Sequence, residues 1–110
     1  MPHTVIALTV NNHAGVMSHI TGLFARRAYN LDGILCGPLP DERLSRMYLL
    51  VAVDSRLELV LHNLAKLEDV LEVLLRENFD QEIFYRLDAL DEDSLAGRPG
   101  GPCPPGQAEE

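Results

Sequence analysis

A chain of 110 residues is long enough to bury one core and too short for two ordinary domains. Its apolar content is 46% without a run long enough to span a membrane, and the opening Met-Pro-His-Thr lacks the basic and apolar regions of a signal peptide, so the chain is read as cytoplasmic. The formal charge of −8, from 17 acidic against 9 basic residues and with no basic stripe, disfavours nucleic acid and membrane as partners.

From Thr4 to Val10, Ile6, Leu8 and Val10 alternate with Val5, Ala7 and Thr9. Both sets are uncharged, which predicts a central strand covered on both faces. Asn11-Asn12-His13-Ala14-Gly15-Val16-Met17 follows, and then Val16, Met17, Ile20, Phe24, Ala25 and Ala28 recur on one face of a helix running to about Tyr29. Gly15 at the junction lets the backbone approach a ligand or other backbone. The unpaired amides of a helix start favour an anion, so Gly15 to Met17 is a candidate seat for a small carboxylate. Taken alone, the same residues more often describe an ordinary turn whose helix start binds only water or its own cap. Arg26 and Arg27 suit the negative end of the helix, and Asn30 is the expected left-handed residue at its end.

Leu31 to Leu39 predicts a second strand, weakened by Gly33 and ended by Gly37-Pro38 and Pro40. Ser45 to Val53 is the clearest strand, with Met47, Leu49, Val51 and Val53 on one face and Tyr48, Leu50 and Ala52 on the other. Ser55-Arg56-Leu57-Glu58 has the form of a capping box, opening a helix with Leu57, Val60, Leu61, Leu64 and Leu67 on one side. Glu68-Asp69 breaks it, and Val70 to Arg76 predicts a fourth strand. The order is β-α-β-β-α-β, which gives an α+β, ferredoxin-like fold: a four-stranded antiparallel sheet with two helices on one face. Val5, Ala7, Tyr48 and Leu50 are left for the open face or an edge, where apolar surface signals a partner.

Residues 3–77 are read as this domain, and 78–90 as an extension, either a short helix with Phe79, Ile83, Leu87 and Leu90 inward or a fifth strand around Ile83-Phe84-Tyr85. Residues 91–110 are acidic and rich in Pro and Gly, with few apolar residues, and are expected to be a disordered tail.

The sequence carries no catalytic or metal-binding signature. Cys36 and Cys103 form no C-x-x-C pair, which removes zinc and thioredoxin-type readings and leaves Cys36 as a small apolar strand residue. His3, His13, His19 and His62 have no metal-ligand spacing and read as surface or cap residues. No Walker loop, G-x-G-x-x-G or nucleophile signature is present. An RNA-binding version of the fold needs aromatic central strands and a basic face, a copper chaperone needs a thiol pair in the first loop, and an acyl-phosphatase needs an arginine there. The chain has none of these.

Val10-Asn11-Asn12-His13-Ala14-Gly15-Val16-Met17, continued by Gly22-Leu23-Phe24-Ala25-Arg26-Arg27-Ala28-Tyr29-Asn30-Leu31 and Gly33-Ile34-Leu35-Cys36, resembles the small regulatory subunit of acetolactate (acetohydroxyacid) synthase in its short, single-ACT-domain form. Arg56-Leu57-Glu58 and Lys66-Leu67-Glu68-Asp69-Val70 share the resemblance, which covers roughly residues 4 to 78. It implies an ACT domain that forms a homodimer and binds valine at the dimer interface. It also implies a partner catalytic subunit carrying thiamine diphosphate, Mg²⁺ and FAD, with no cofactor and no catalytic residue in this chain. By position, Asn12, Gly15, Val16 and Met17 match the family's ligand loop, and Asn30 and Leu31 match the segment that reaches across from the other protomer. The alternative is an amino-acid-sensing ACT module for another partner, such as a transcription regulator. The second domain of longer regulatory subunits has no counterpart here.

Overall fold

The central strand β1 (His3–Asn11) is flanked on one side by β3 (Leu44–Ala52) and on the other by β4 (Val70–Arg76), with β2 (Leu31–Pro38) outside β3. Every neighbouring pair is antiparallel, giving the order β2-β3-β1-β4. The computed structural model describes residues 2–89, so Leu90 and the tail expected over 91–110 lie outside the described residues. Helices α1 (Val16–Arg26) and α2 (Leu57–Ala65) make the two crossovers, and a short α3 (Glu82–Tyr85) follows β4. The ferredoxin-like βαββαβ plan is the observed one.

The alternation along β1 fills both of its faces. Ile6, Leu8 and Val10 meet Met47, Leu49 and Val51 under Ile20, Leu23 and Phe24 of α1 and Val60 and Leu64 of α2. Val5 and Leu50, on the opposite face, are buried by Phe84 of α3, with Leu35, Tyr48 and Phe79 packed alongside. The apolar open face is thus covered in part by the chain itself. Helix wins over the fifth strand here, and its inward residue is Phe84; Ile83 and Leu87 are 49% and 47% exposed, against the expectation that they pack. Two contacts explain the seating. Gln81 Nε2 donates to the His3 carbonyl at 2.8 Å. Gly33 leaves the hole into which Phe84 fits, since a Cβ there would lie 2.6 Å from Phe84 Cδ1.

Three local expectations are corrected. Helix α1 stops at Arg26 rather than Tyr29, and the left-handed residue is Ala28 (φ +52°), not Asn30. The Ala28 N–H reaches Ala25 O and the Tyr29 N–H reaches Phe24 O, the paired bonds of a Schellman ending, while the Phe24 and Tyr29 rings meet at a tilt of 45° with centroids 5.9 Å apart as its hydrophobic contact. Ser55 does not cap α2. Asp54 intervenes one residue earlier, its Oδ1 accepting the Arg56 N–H at 2.7 Å and its carbonyl accepting the Leu57 N–H, so Arg56 precedes the first helical residue. Cys36 is exposed rather than apolar filling.

Candidate functional site

Beyond Asn11 the chain leaves the sheet and turns into α1 through Gly15, whose φ of +96° is left-handed and whose missing Cβ opens on free space. A glycine suits this backbone because other residues occupy it at a cost. The loop is anchored on two sides. Asn12 N–H donates to Arg43 O at 2.8 Å and its Nδ2 to Glu42 O at 2.9 Å, fixing it to the β2–β3 connection. With its NH₂ so used, the Asn12 side-chain carbonyl remains an acceptor. On the other side, Asn11 N–H donates to Asp69 O at 2.9 Å, and its Nδ2 reaches Asp69 Oδ1 at 3.3 Å.

Asp69 also gathers two histidines. His13 Nε2 lies 2.8 Å and His19 Nδ1 3.6 Å from Asp69 Oδ2. The His13 ring additionally contacts Ala14 O at 2.6 Å. That carbonyl first, and the Asp69 carboxylate next, raise the His13 pKa above its ordinary value; His13 in turn is the main cause holding Asp69 below the usual carboxylate range. Beside the pair is a cleft of about 310 Å³ between α1 and the turn before β4, lined by Ser18, His19, Arg26, Leu67, Glu68 and Asp69. This junction was invisible to spacing arguments, because His13 and Asp69 are brought together by the β1–β4 pairing alone.

The candidate residues divide into two groups. Asn12, Gly15, Val16 and Met17 sit together at the start of α1. Val16 buries its side chain in the core, and its N–H is engaged by His13 O at 3.3 Å. Gly15 and Met17 therefore present the amides of the first turn, and the Met17 side chain is 38% exposed beside them. Asn30 and Leu31 lie past the other end of α1, separated by its 11 residues, about 16 Å of helix. Asn30 Nδ2 donates to Asp32 Oδ1, so its side-chain carbonyl remains an acceptor, and Leu31 packs at the core's margin opposite Val51. One chain does not bring the two groups together. Among the described residues no cluster of three or more His, Cys, Asp or Glu is disposed to hold a metal ion.

The model of the AHAS small subunit-like ACT domain matches residues 6–72, more than half of the chain. The chain belongs to that family. It is similar to the acetolactate synthase isozyme 1 small subunit of Escherichia coli K12, with 47% identity over 85 residues, covering 77% of this chain and 88% of that protein. The acetolactate synthase small subunit of Buchnera aphidicola is 33% identical over 87 residues, but the match spans only 54% of that longer protein. The crystal structure of the acetolactate synthase small subunit from Thermotoga maritima superposes with a TM-score of 0.62 at 30% identity, over 68% of this chain and 47% of that one. Family membership assigns the chain an ACT domain and a regulatory place in branched-chain amino acid synthesis. No helix among the described residues is long and apolar enough to cross a membrane.

Proposed function

We propose that this chain is the regulatory subunit of an acetolactate synthase: it activates a separate catalytic subunit and conveys feedback inhibition by valine. The observation that carries the reading is the 47% identity to the E. coli isozyme 1 small subunit across 88% of that protein's length. In this reading the chain has no catalytic residue, acts in the cytoplasm, and leaves thiamine diphosphate, Mg²⁺ and FAD to the catalytic subunit. The effector's α-carboxylate lies on the Gly15 and Met17 amides, where helix-start N–H groups favour an anion. The side-chain carbonyls of Asn12 and of Asn30 from a second copy accept from its ammonium, and Met17 and Leu31 bound the isopropyl group. Two copies are required because Asn30 and Leu31 lie at the opposite end of α1 from the loop.

Two measurements test it together. The full chain, mixed with the catalytic subunit of the same organism, is expected to raise acetolactate formation from pyruvate, while the chain alone forms none. Valine is expected to lower the reconstituted rate and to bind the chain in calorimetry. Gly15→Asp is expected to abolish that binding by setting a carboxylate against a carboxylate. Asn30→Ala is expected to weaken it by about 1–3 kcal/mol, the worth of a hydrogen bond to a charged group. Unchanged valine affinity in Gly15→Asp would place the effector elsewhere.

A further inference from the structure

The Gly15 amide, on which the effector's carboxylate is proposed to lie, belongs to the same rigid plane as the Ala14 carbonyl. A trans peptide points its C=O and its N–H in opposite directions, so whatever holds the Ala14 carbonyl also aims the Gly15 N–H. Gly15 itself does not fix that plane, because a residue without Cβ takes positive and negative φ about equally. The hold comes from His13, whose Nδ1 lies 2.6 Å from Ala14 O. Among the described residues the Gly15 N–H makes no hydrogen bond, and it stays available to a ligand.

The other ring nitrogen is committed as well. His13 Nε2 lies 2.8 Å from Asp69 Oδ2, and Asp69 is fixed in turn by Asn11, whose N–H and Nδ2 donate to its carbonyl and to Oδ1. A carbonyl and a carboxylate only accept, and a neutral imidazole carries one N–H. Holding both contacts therefore takes the imidazolium, with a proton on each nitrogen. In the neutral ring one nitrogen lone pair meets an oxygen lone pair, so either the Ala14 carbonyl or the tie to Asp69 is released. The surrounding charged groups do not replace this pair. His19 of α1 reaches Asp69 only at 3.6 Å, and its ring makes no hydrogen bond to the loop. Arg26 and Glu68 line the cleft alongside. Glu42 and Arg43 meet the loop through their backbone carbonyls at Asn12, while the Arg43 guanidinium is held by Asp41. Glu72 of β4 accepts from Thr9.

We propose that His13, held by Asp69, is a positioning residue that makes effector binding proton-linked: its imidazolium aims the Gly15 amide at the effector's carboxylate, and its deprotonation frees the Ala14–Gly15 peptide to turn away. This rests on the effector site proposed above and adds its regulation by pH. Because the loop that binds carries the extra proton, affinity is full at low pH, falls as pH rises through the His13 pKa, and binding takes up protons. The Ala14 carbonyl, and then the Asp69 carboxylate, raise that pKa, so the fall lies above 6.5.

The test is valine titration of the full chain by calorimetry from about pH 6 to about pH 8.5, in buffers of different ionisation enthalpy so that protons taken up are counted. The parent's affinity is expected to fall about tenfold over this range, the worth of one hydrogen bond to a charged group, with proton uptake accompanying the fall. His13→Gln has no proton to gain. It is expected to bind about tenfold more weakly than the parent at the low-pH end, with neither pH dependence nor uptake. Asp69→Asn keeps an oxygen for Asn11 but removes the charge beside His13, and is expected to move the fall to lower pH. His19→Gln is expected to keep the parent's profile. A merely structural role for His13 would weaken binding equally at every pH. An affinity flat with pH in the parent, a fall retained by His13→Gln, or a His19→Gln profile as flat as that of His13→Gln overturns the proposal. Gly15→Asp, titrated alongside, separates the two failures. Valine bound by it as tightly as by the parent removes the site itself, whereas binding lost there, with an unaltered fall in His13→Gln, removes only the proton linkage.

Discussion

Ala28 sits in a conformation that L-residues avoid, at a cost of about 1–2 kcal/mol, because the Schellman ending of α1 needs a left-handed residue there. Glycine occupies that region freely but loses more chain entropy on folding, about 0.5–1 kcal/mol. The difference favours glycine, so Ala28→Gly is expected to raise stability by about 0.5–1 kcal/mol, read as a higher urea midpoint at unchanged slope. Gly15 is the converse case: its φ of +96° is just as demanding, and here the chain does supply glycine. That contrast marks the limit of sequence reading at this scale. A glycine before an apolar helical stripe announces a left-handed turn, whereas an alanine in the same conformation announces nothing, and the neighbouring Asn30 drew the expectation to itself. What holds Ala28 in place is tertiary. Arg56 Nη1 donates to the Arg27 and Ala28 carbonyls at 3.1 and 3.0 Å, and its guanidinium lies over the Tyr29 ring.

Among the elements, α1, α2 and the four strands follow from periods of 3.6 and 2, and those periods are local properties of the chain. α3 follows from them only in part. The spacing places Phe79 correctly but points Ile83 and Leu87 inward in place of Phe84, because the seat is set by the hole at Gly33 and the Gln81–His3 contact, both distant in sequence. Phe84→Ala is expected to cost about 3 kcal/mol in chemical denaturation, since it uncovers Val5 and Leu50 as well as removing the ring. The join between the β1–α1 loop and the turn before β4 makes a separate claim about pH. His13 is raised, so its contribution to stability is complete below its unfolded value of 6.5 and is lost as pH climbs through the folded pKa. Asp69 is lowered, so its contribution is complete above 3.8 and is lost as pH falls through its own folded pKa. The stability difference between the parent and His13→Gln is therefore expected to be largest between these two values and to shrink above neutrality. A difference that grows from pH 7 to 9 would show that His13 stabilises the loop in its neutral form.

For the whole molecule, the central question is whether an effector site exists within one chain or only between two. The loop with Asn12, Gly15 and Met17 and the segment with Asn30 and Leu31 occupy opposite ends of a helix of 11 residues, and valine is far shorter than that separation. If a second copy supplies Asn30, a dimer holds two sites, each built from the loop of one chain and the asparagine of the other. Gly15→Asp then damages the site to which a chain lends its loop, and Asn30→Ala damages the site to which it lends its amide. In a hybrid dimer of the two variants, one site carries both defects and the other carries neither. Random mixing in equal amounts makes about half of the dimers hybrid, so about a quarter of all sites regain parental affinity. Calorimetric titration with valine after the two variants are unfolded and refolded together is expected to show that fraction binding as tightly as the parent protein. Neither variant alone supplies it: the first has no functional loop and the second no complete set of acceptors for the ammonium. A mixture that binds only as the sum of its separate components would mean that loop and asparagine do not meet across the dimer, and the two-copy site would have to be abandoned.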